Sequence, residues 1–320
     1  MTRYGSIALI VCFAACVQAQ GQRTTRFSAG PLTAVVVFGD AGVAKFEGEL
    51  RTLLTGAVSR YHGLFGGPPR GPNGNRIDTI TIQLASAVVS EGETSPGLVR
   101  ISLGEQPVFG FYDWRLVVLH EVFHLWNAGS FRYVSGAEQW FNEGVTEFYT
   151  MQTAARLKLL EPLQAVDIAA TSLGFYGSAP ALGTISLTRA ASTPDLKFRN
   201  YFLVYNGGWM AGLVLDHDIR NRTNGRKSLD DLMRRMYENF DRGARLYSTD
   251  AIVVQLRAAT GIDYTAFFDQ HVRGPAPIPV ARHLSLGNLA FALTARAANA
   301  RPREMDQHLM ASLGLQQPGR

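Results

Sequence analysis

Cysteine is nearly absent: the 320 residues hold two, Cys12 and Cys16, both within the first sixteen positions. A chain cut after Ala19 carries no thiol, so disulfides contribute nothing to its stability. After residue 20 there is no apolar run of membrane-spanning length, no low-complexity block and no internal repeat. Charge is sparse as well. Asp, Glu, Lys and Arg make up 18% of the residues, and the formal charge of +5 is spread along the chain in mixed-sign stretches. That balance gives no footprint for nucleic acid, and no nucleic-acid partner is expected. The sharpest basic cluster, Arg220 to Lys227, closes an expected helix, where cations complement the C-terminal dipole.

Export is legible in the first nineteen residues. Arg3 precedes an apolar run from Ile7 to Val17 and the small-residue pattern Val17-Gln18-Ala19, which reads as a signal peptide cut after Ala19. The expected location is periplasmic or secreted. Phe13-Ala14-Ala15-Cys16 also resembles a lipoprotein acylation site, so membrane contact is expected only if Cys16 is lipidated. About 300 mature residues can bury a sizeable core and suggest two subdomains.

The first of these, 30–112, reads as a small α/β unit. Leu32 to Phe38 is β-branched and apolar, Val43 to Phe65 has helical periodicity, Thr79 to Leu84 alternates with period two, and Leu98 to Leu103 does so less regularly. From residue 113 to 274 the signals are helical. Asp113 can cap a helix through Trp126, and Ser135 with Glu138 forms a capping box for a second helix to about Leu160. Further helices are expected over Trp209–Arg222, Leu229–Phe240, Ala251–Ala259 and Tyr264–Val272. Pro275, Pro277 and Pro279 open a linker and tail, 275–320, to which the sequence assigns no function.

Within the first helix stands His120-Glu121-Val122-Phe123-His124. Residues four apart on a helix share a face, so both imidazoles can converge on one ion. Glu121 lies off that axis, placed to take a proton from an activated water. A catalytic zinc wants a third protein ligand and an open fourth position. Glu143, in Trp140-Phe141-Asn142-Glu143-Gly144, supplies a candidate after a span sufficient for a turn and a returning helix. Glu147, one turn further on, can accept the outer N–H of a ligand histidine. One Zn²⁺ per chain is expected, held by His120, His124 and Glu143 at a net charge of +1.

This text resembles the gluzincin metallopeptidases, the clan of thermolysin and aminopeptidase N. The stretches from His120 to Asn127 and from Trp140 to Tyr149, with Tyr205-Asn206-Gly207-Gly208 and Arg222 to Leu229, are similar to the glycyl aminopeptidase family within it. The resemblance covers roughly Leu32 to Pro279. It implies an α+β, two-lobed, thermolysin-like catalytic domain, with a small α/β upper lobe ending in an edge strand, a helical lower lobe and zinc between them. It implies hydrolysis of a peptide or protein substrate, with Tyr205 steadying the oxyanion. Read without the family, Tyr205 is equally an aromatic at a helix entrance.

The sequence departs from the family in three places. Gly207 stands where the family usually has lysine. Ser90 to Gly97 replaces the segment that grips the substrate N-terminus, and its Glu91 and Glu93 read as solvent-facing loop acids. The large N-terminal β-domain and the PDZ domain of the family are not expected here. The first two departures motivate a reading as a zinc-binding pseudopeptidase or envelope peptide-binding protein without activity, and the third, with Cys16, a reading as a lipid-anchored scaffold. Intact Glu121 argues against both. Of the remaining residues, His217 reads as charged helix surface, and Trp126 and Trp140 as packing between the two metal helices.

Overall fold

Alternation of apolar and polar residues builds the sheet. Leu32, Ala34, Val36 and Phe38 are buried while their neighbours are not, as a strand with one face on the core requires, and strand β2 spans the expected Leu32–Phe38. The computed structural model describes residues 22–106, 114–240, 245–280 and 307–315. The expected signal segment, Cys16, Asp113 and most of the tail lie outside the described residues.

Before β2 comes β1, Arg23–Ala29, which sequence reasoning did not anticipate; it pairs antiparallel with β2 around Gly30 at φ 57°. The chain then crosses through α1, Ala41–Ala44, and α2, Glu47–Phe65, to β3, Thr79–Val89, parallel to β2. α2 buries Leu50, Leu53, Leu54, Ala57, Val58, Tyr61, Leu64 and Phe65, a stripe at helical spacing. β4, Glu91–Ser95, and β5, Leu98–Gln106, complete five strands in the order β1-β2-β3-β5-β4. β5 runs parallel to β3 and β4 antiparallel to β5, so β4 forms one edge.

Helices follow. α3, Trp114–His124, ends two residues before the expected limit. Its last turn tightens: Leu125 and Trp126 donate three residues back to Val122 and Phe123, and Gly129 N closes onto His124 O at 2.8 Å. The Ser135–Glu138 capping box forms, but it opens a 3₁₀ turn, Gly136–Glu138. A π-turn, Trp140–Val145, follows and leads into α4, Thr146–Arg156, four residues shorter than expected. α5, Pro162–Gly177, α6, Leu187–Ala191, and α7, Pro194–Arg199, were not foreseen. α8 spans Tyr201–Thr223 and starts eight residues before the expected Trp209. α9, Leu229–Asn239, α10, Thr249–Thr260, and α11, Thr265–His271, fall close to expectation.

Two packing expectations need correction. His217 is buried at 1% exposure, one helical turn from Asn221, whose Nδ2 lies 3.1 Å from its ring. The neighbouring Asp216 is also buried, since it accepts from Arg220 Nε at 2.7 Å and from Leu229 N at 2.8 Å. Trp126 packs on α2, stacked on Phe65 with its Nε1 donating to Gly67 O, and Trp140 packs edge-on against Phe268 of α11. Each tryptophan thus ties the segment it stands on outward to a different neighbour.

The proline-rich stretch and part of the tail are packed. Ile278 and Val280 are buried, and Ile278 N donates to Tyr176 Oη. α12, Gln307–Ser312, buries Leu309 and Met310, and Ser312 O accepts from Gln152 Nε2 of α4. Buried residues from the sheet, the helices and this segment form one continuous core. Among the described residues no helix is long and apolar enough to cross a membrane.

Candidate metal centre and active site

α3 places His120 and His124 one turn apart on the face toward the π-turn, and the π-turn carries Glu143 toward them. A π-turn widens the helix and frequently marks a functional position. Here it sets Glu143 Oε2 at 3.3 Å from His120 Nε2 and from His124 Nε2, while the two Nε2 atoms stand 3.0 Å apart. Three donors at about 2.0–2.1 Å from a tetrahedral ion lie roughly 3.3 Å from one another. The triangle has the size and the nitrogen–nitrogen–oxygen chemistry of a zinc site. Among the described residues it is the one group of three or more metal-ligating side chains.

The outer atoms of the ligands are also held. Glu147 Oε1, on the first turn of α4, lies 3.2 Å from His120 Nδ1, and His124 Nδ1 lies 3.3 Å from Asn127 O. Such partners fix the ring orientation and the tautomer that leaves Nε2 available. Asn127 is itself anchored, donating to Asn142 O and Thr146 Oγ1 across to the segment that carries Glu143. Lys197 Nζ of α7 donates to Glu143 Oε1 at 2.6 Å. Burial would raise the Glu143 pKa, but hydrogen bonds from His120 and His124, and then the charges of His124 and Lys197, hold it well below the usual carboxylate range.

Glu121 is nearly buried and faces β4. Thr94 Oγ1 lies 2.8 Å from both the backbone carbonyl and Oε2 of Glu121, so its one proton serves either acceptor. Gly92, two residues earlier on the same face of the strand, has no room for a side chain, since a Cβ there would strike the Glu121 carboxylate. Glu91 and Glu93 belong to this edge strand, not to a loop as expected; both are solvent-exposed, as expected, and both border the cavity over the triangle. Glu93 sits 3.9 Å from Arg100.

That cavity has a volume of about 510 Å³ and brings together His120, Glu121, His124, Glu143, Glu147 and Tyr205. Tyr205 lies inside α8, not at its entrance. Its ring stacks on Tyr201 with centroids 4.1 Å apart, and Lys197 Nζ stands 5.1 Å from the ring centre. Burial, then the negative charge of Glu143, raises the Tyr205 pKa well above the usual phenol value, so the hydroxyl keeps its proton. Gly207 points away from the triangle; a Cβ there would meet Leu187 and Tyr176.

All six sequence-derived site residues thus line one cavity, together with Tyr201, Thr94 and Lys197, which sequence reasoning missed; the equally missed Asn127 lies buried behind His124. Tyr201, one helical turn before Tyr205, had a signal in that spacing. Thr94 and Lys197 had none, because each acts across elements distant in sequence, and Asn127 acts on His124 three residues back through a backbone carbonyl, which no residue type announces.

No protein-family model matches the chain, and no curated protein matches it in sequence. Solved structures do match. An aminopeptidase N family protein from Idiomarina loihiensis superposes with a TM-score of 0.69 at 14% identity, over 82% of this chain and 49% of the other. An M1 zinc metallopeptidase from Deinococcus radiodurans gives 0.56 at 19% identity, over 81% and 53%. A mutant two-domain M1 zinc metallopeptidase bound to L-arginine gives 0.53 at 18% identity, over 81% and 53%. The chain spans about half the length of these proteins, and over four fifths of its own length it shares their fold.

Proposed function

We propose that this chain is a zinc-dependent peptidase of the gluzincin kind, aminopeptidase-like in action, holding one Zn²⁺ between an upper lobe built on the sheet and a lower lobe of helices. The observation that carries the reading is the His120–His124–Glu143 triangle, opening into a cavity where the Glu121 carboxylate is held by Thr94 of an edge strand. A zinc ion in this donor set supplies Lewis acidity to a carbonyl oxygen and to a water.

The chain's own residues supply the rest. Glu121 takes the proton of the attacking water and passes it to the leaving amine, with Thr94 fixing its carboxylate in reach. Tyr205, kept protonated, donates to the oxygen on which negative charge develops. Glu147 and the Asn127 carbonyl orient the two histidines. The aminopeptidase side of the reading is supported by one structural neighbour described as an aminopeptidase N family protein and by another, a mutant, bound to L-arginine. The substrate is a peptide or protein, no nucleic acid is involved, and the mature chain acts outside the cytoplasm, membrane-bound only if Cys16 is lipidated.

Metal analysis with a peptide-library digest tests this. The expected result is close to one zinc per chain, cleavage by the wild type, and a loss of roughly 10²–10⁴-fold in Glu121→Gln with metal retained. A wild type that binds zinc and peptides but cuts none of a broad library would replace this reading with the pseudopeptidase.

A further inference from the structure

The two carboxylate oxygens of Glu143 face different partners. Oε2 points at both histidine Nε2 atoms, and Oε1 accepts from Lys197. Lys197 reaches the site from α7, a short helix with no buried residue, started by Thr193 Oγ1 accepting from Leu196 N and by Pro194 in its first turn. The ammonium is fixed on more than one side. It also donates to Gln139 Oε1 at 3.0 Å, Gln139 donates onward to Tyr133 Oη at 2.8 Å, and the Tyr205 ring lies alongside.

A carboxylate can meet a metal through one oxygen or through both. A catalytic zinc takes three protein ligands and keeps a fourth position open, and a second oxygen from Glu143 would crowd that position. A short, charge-assisted hydrogen bond on Oε1 opposes this, because the oxygen would have to leave an ammonium in order to approach a cation. We propose that Lys197 is a positioning residue that holds Oε1 away from the ion, so that Glu143 binds through Oε2 alone and the open position survives. The inference rests on the peptidase reading and names the residue that sets its coordination number.

Cobalt(II) reports coordination directly, since its visible absorption weakens when a four-coordinate ion gains ligands. Wild type, Lys197→Met and Lys197→Arg would each be stripped of metal, loaded with one equivalent of Co²⁺ and scanned, with a thermal melt as the check on folding. Wild type and Lys197→Arg are expected to share one intense band. Lys197→Met is expected to bind one Co²⁺ with a clearly weaker band and, loaded with zinc, to lose roughly 10–100-fold in kcat at nearly unchanged KM. A Lys197→Met spectrum coincident with wild type overturns the proposal, whatever happens to turnover. Should that variant misfold, Lys197→Gln, too short to reach Oε1, takes its place with the same two outcomes. Cleavage by the wild type tests the peptidase reading separately. A wild type that takes up cobalt but cuts nothing sinks that reading, and the spectra still decide on Lys197.

Discussion

Gly144 of the π-turn and Gly208 of α8 lie against each other with no side chain between them. A Cβ on Gly144 would press into the Gly208 backbone, and one on Gly208 into the Trp140 carbonyl. This contact lets α8 cross directly behind the segment that carries Glu143, and so brings Tyr201 and Tyr205 into the metal cavity. Gly208→Ala is therefore expected to force the two segments apart. The cost of overpacking is about 1–3 kcal/mol, measured as a lowered melting temperature. Turnover should fall while His120 and His124, on a different helix, still bind metal. A variant as stable and active as the wild type would show that the crossing has slack.

Glu147 has a narrower task. Its carboxylate touches His120 Nδ1 and lies outside the donor triangle. Glu147→Gln should leave the fold intact and weaken zinc binding by roughly 10–100-fold, read by competition against a chelator of known affinity. An unchanged affinity would reduce Glu147 to a neighbour of His120 with no effect on its ligation.

Much of this was legible because it is local. β2 shows its alternation, the HExxH histidines share a helix face, and the Ser135–Glu138 box forms as written. What escaped depends on contacts across the fold. Gly207-Gly208 looks like a helix break in isolation, yet α8 runs through it because the crossing at Gly144 requires a bare backbone. Glu91–Ser95 has no apolar or β-branched run, and it is a strand because β5 pairs with it and Glu121 packs on it. His217 between two aspartates reads as surface, but Asp216 is satisfied from inside by Arg220 and Leu229 N, so that face of the helix turns inward. Lys197 meets a carboxylate 54 positions away, and no local pattern announces such a pair.

The tail had no reading in the sequence, and its packing gives it one. Leu309 of α12 is fully buried, and the last residue of α12, Ser312, is tied to α4 by its carbonyl accepting from Gln152 Nε2. α4 also carries Glu147 in its first turn, so this segment packs on the helix that positions Glu147. Leu309→Ala should destabilise the fold by about 2–5 kcal/mol, as deletion of buried methyl groups does, and lower the melting temperature. A shift within error of zero would mean that α12 is not held in solution.

The metal-free and metal-loaded protein should respond to pH in opposite ways. Burial disfavours the charged form of His120, but the charge of Glu147, then hydrogen bonds to Glu143 and Glu147, carry its pKa well above the usual imidazole value. A group whose folded pKa is raised stabilises the fold fully below its unfolded pKa of about 6.5, and that contribution is lost as pH rises through the folded pKa. Glu143 has the opposite sign. Its folded pKa is depressed, so its contribution is present above an unfolded value of about 4.3 and is lost as pH falls through the folded one. The chelated protein is thus expected to be most stable on the acid side of neutrality and to weaken as pH rises. Zinc needs the unprotonated ring, so loading must expel the His120 proton and strengthens as pH rises. The gap in melting temperature between loaded and chelated protein should widen with pH. Calorimetric titration near neutral pH in buffers of different ionisation enthalpy should show about one proton released per ion. A constant gap with no proton release would mean that the metal-free ring is already neutral, and that Glu147 orients His120 without charging it.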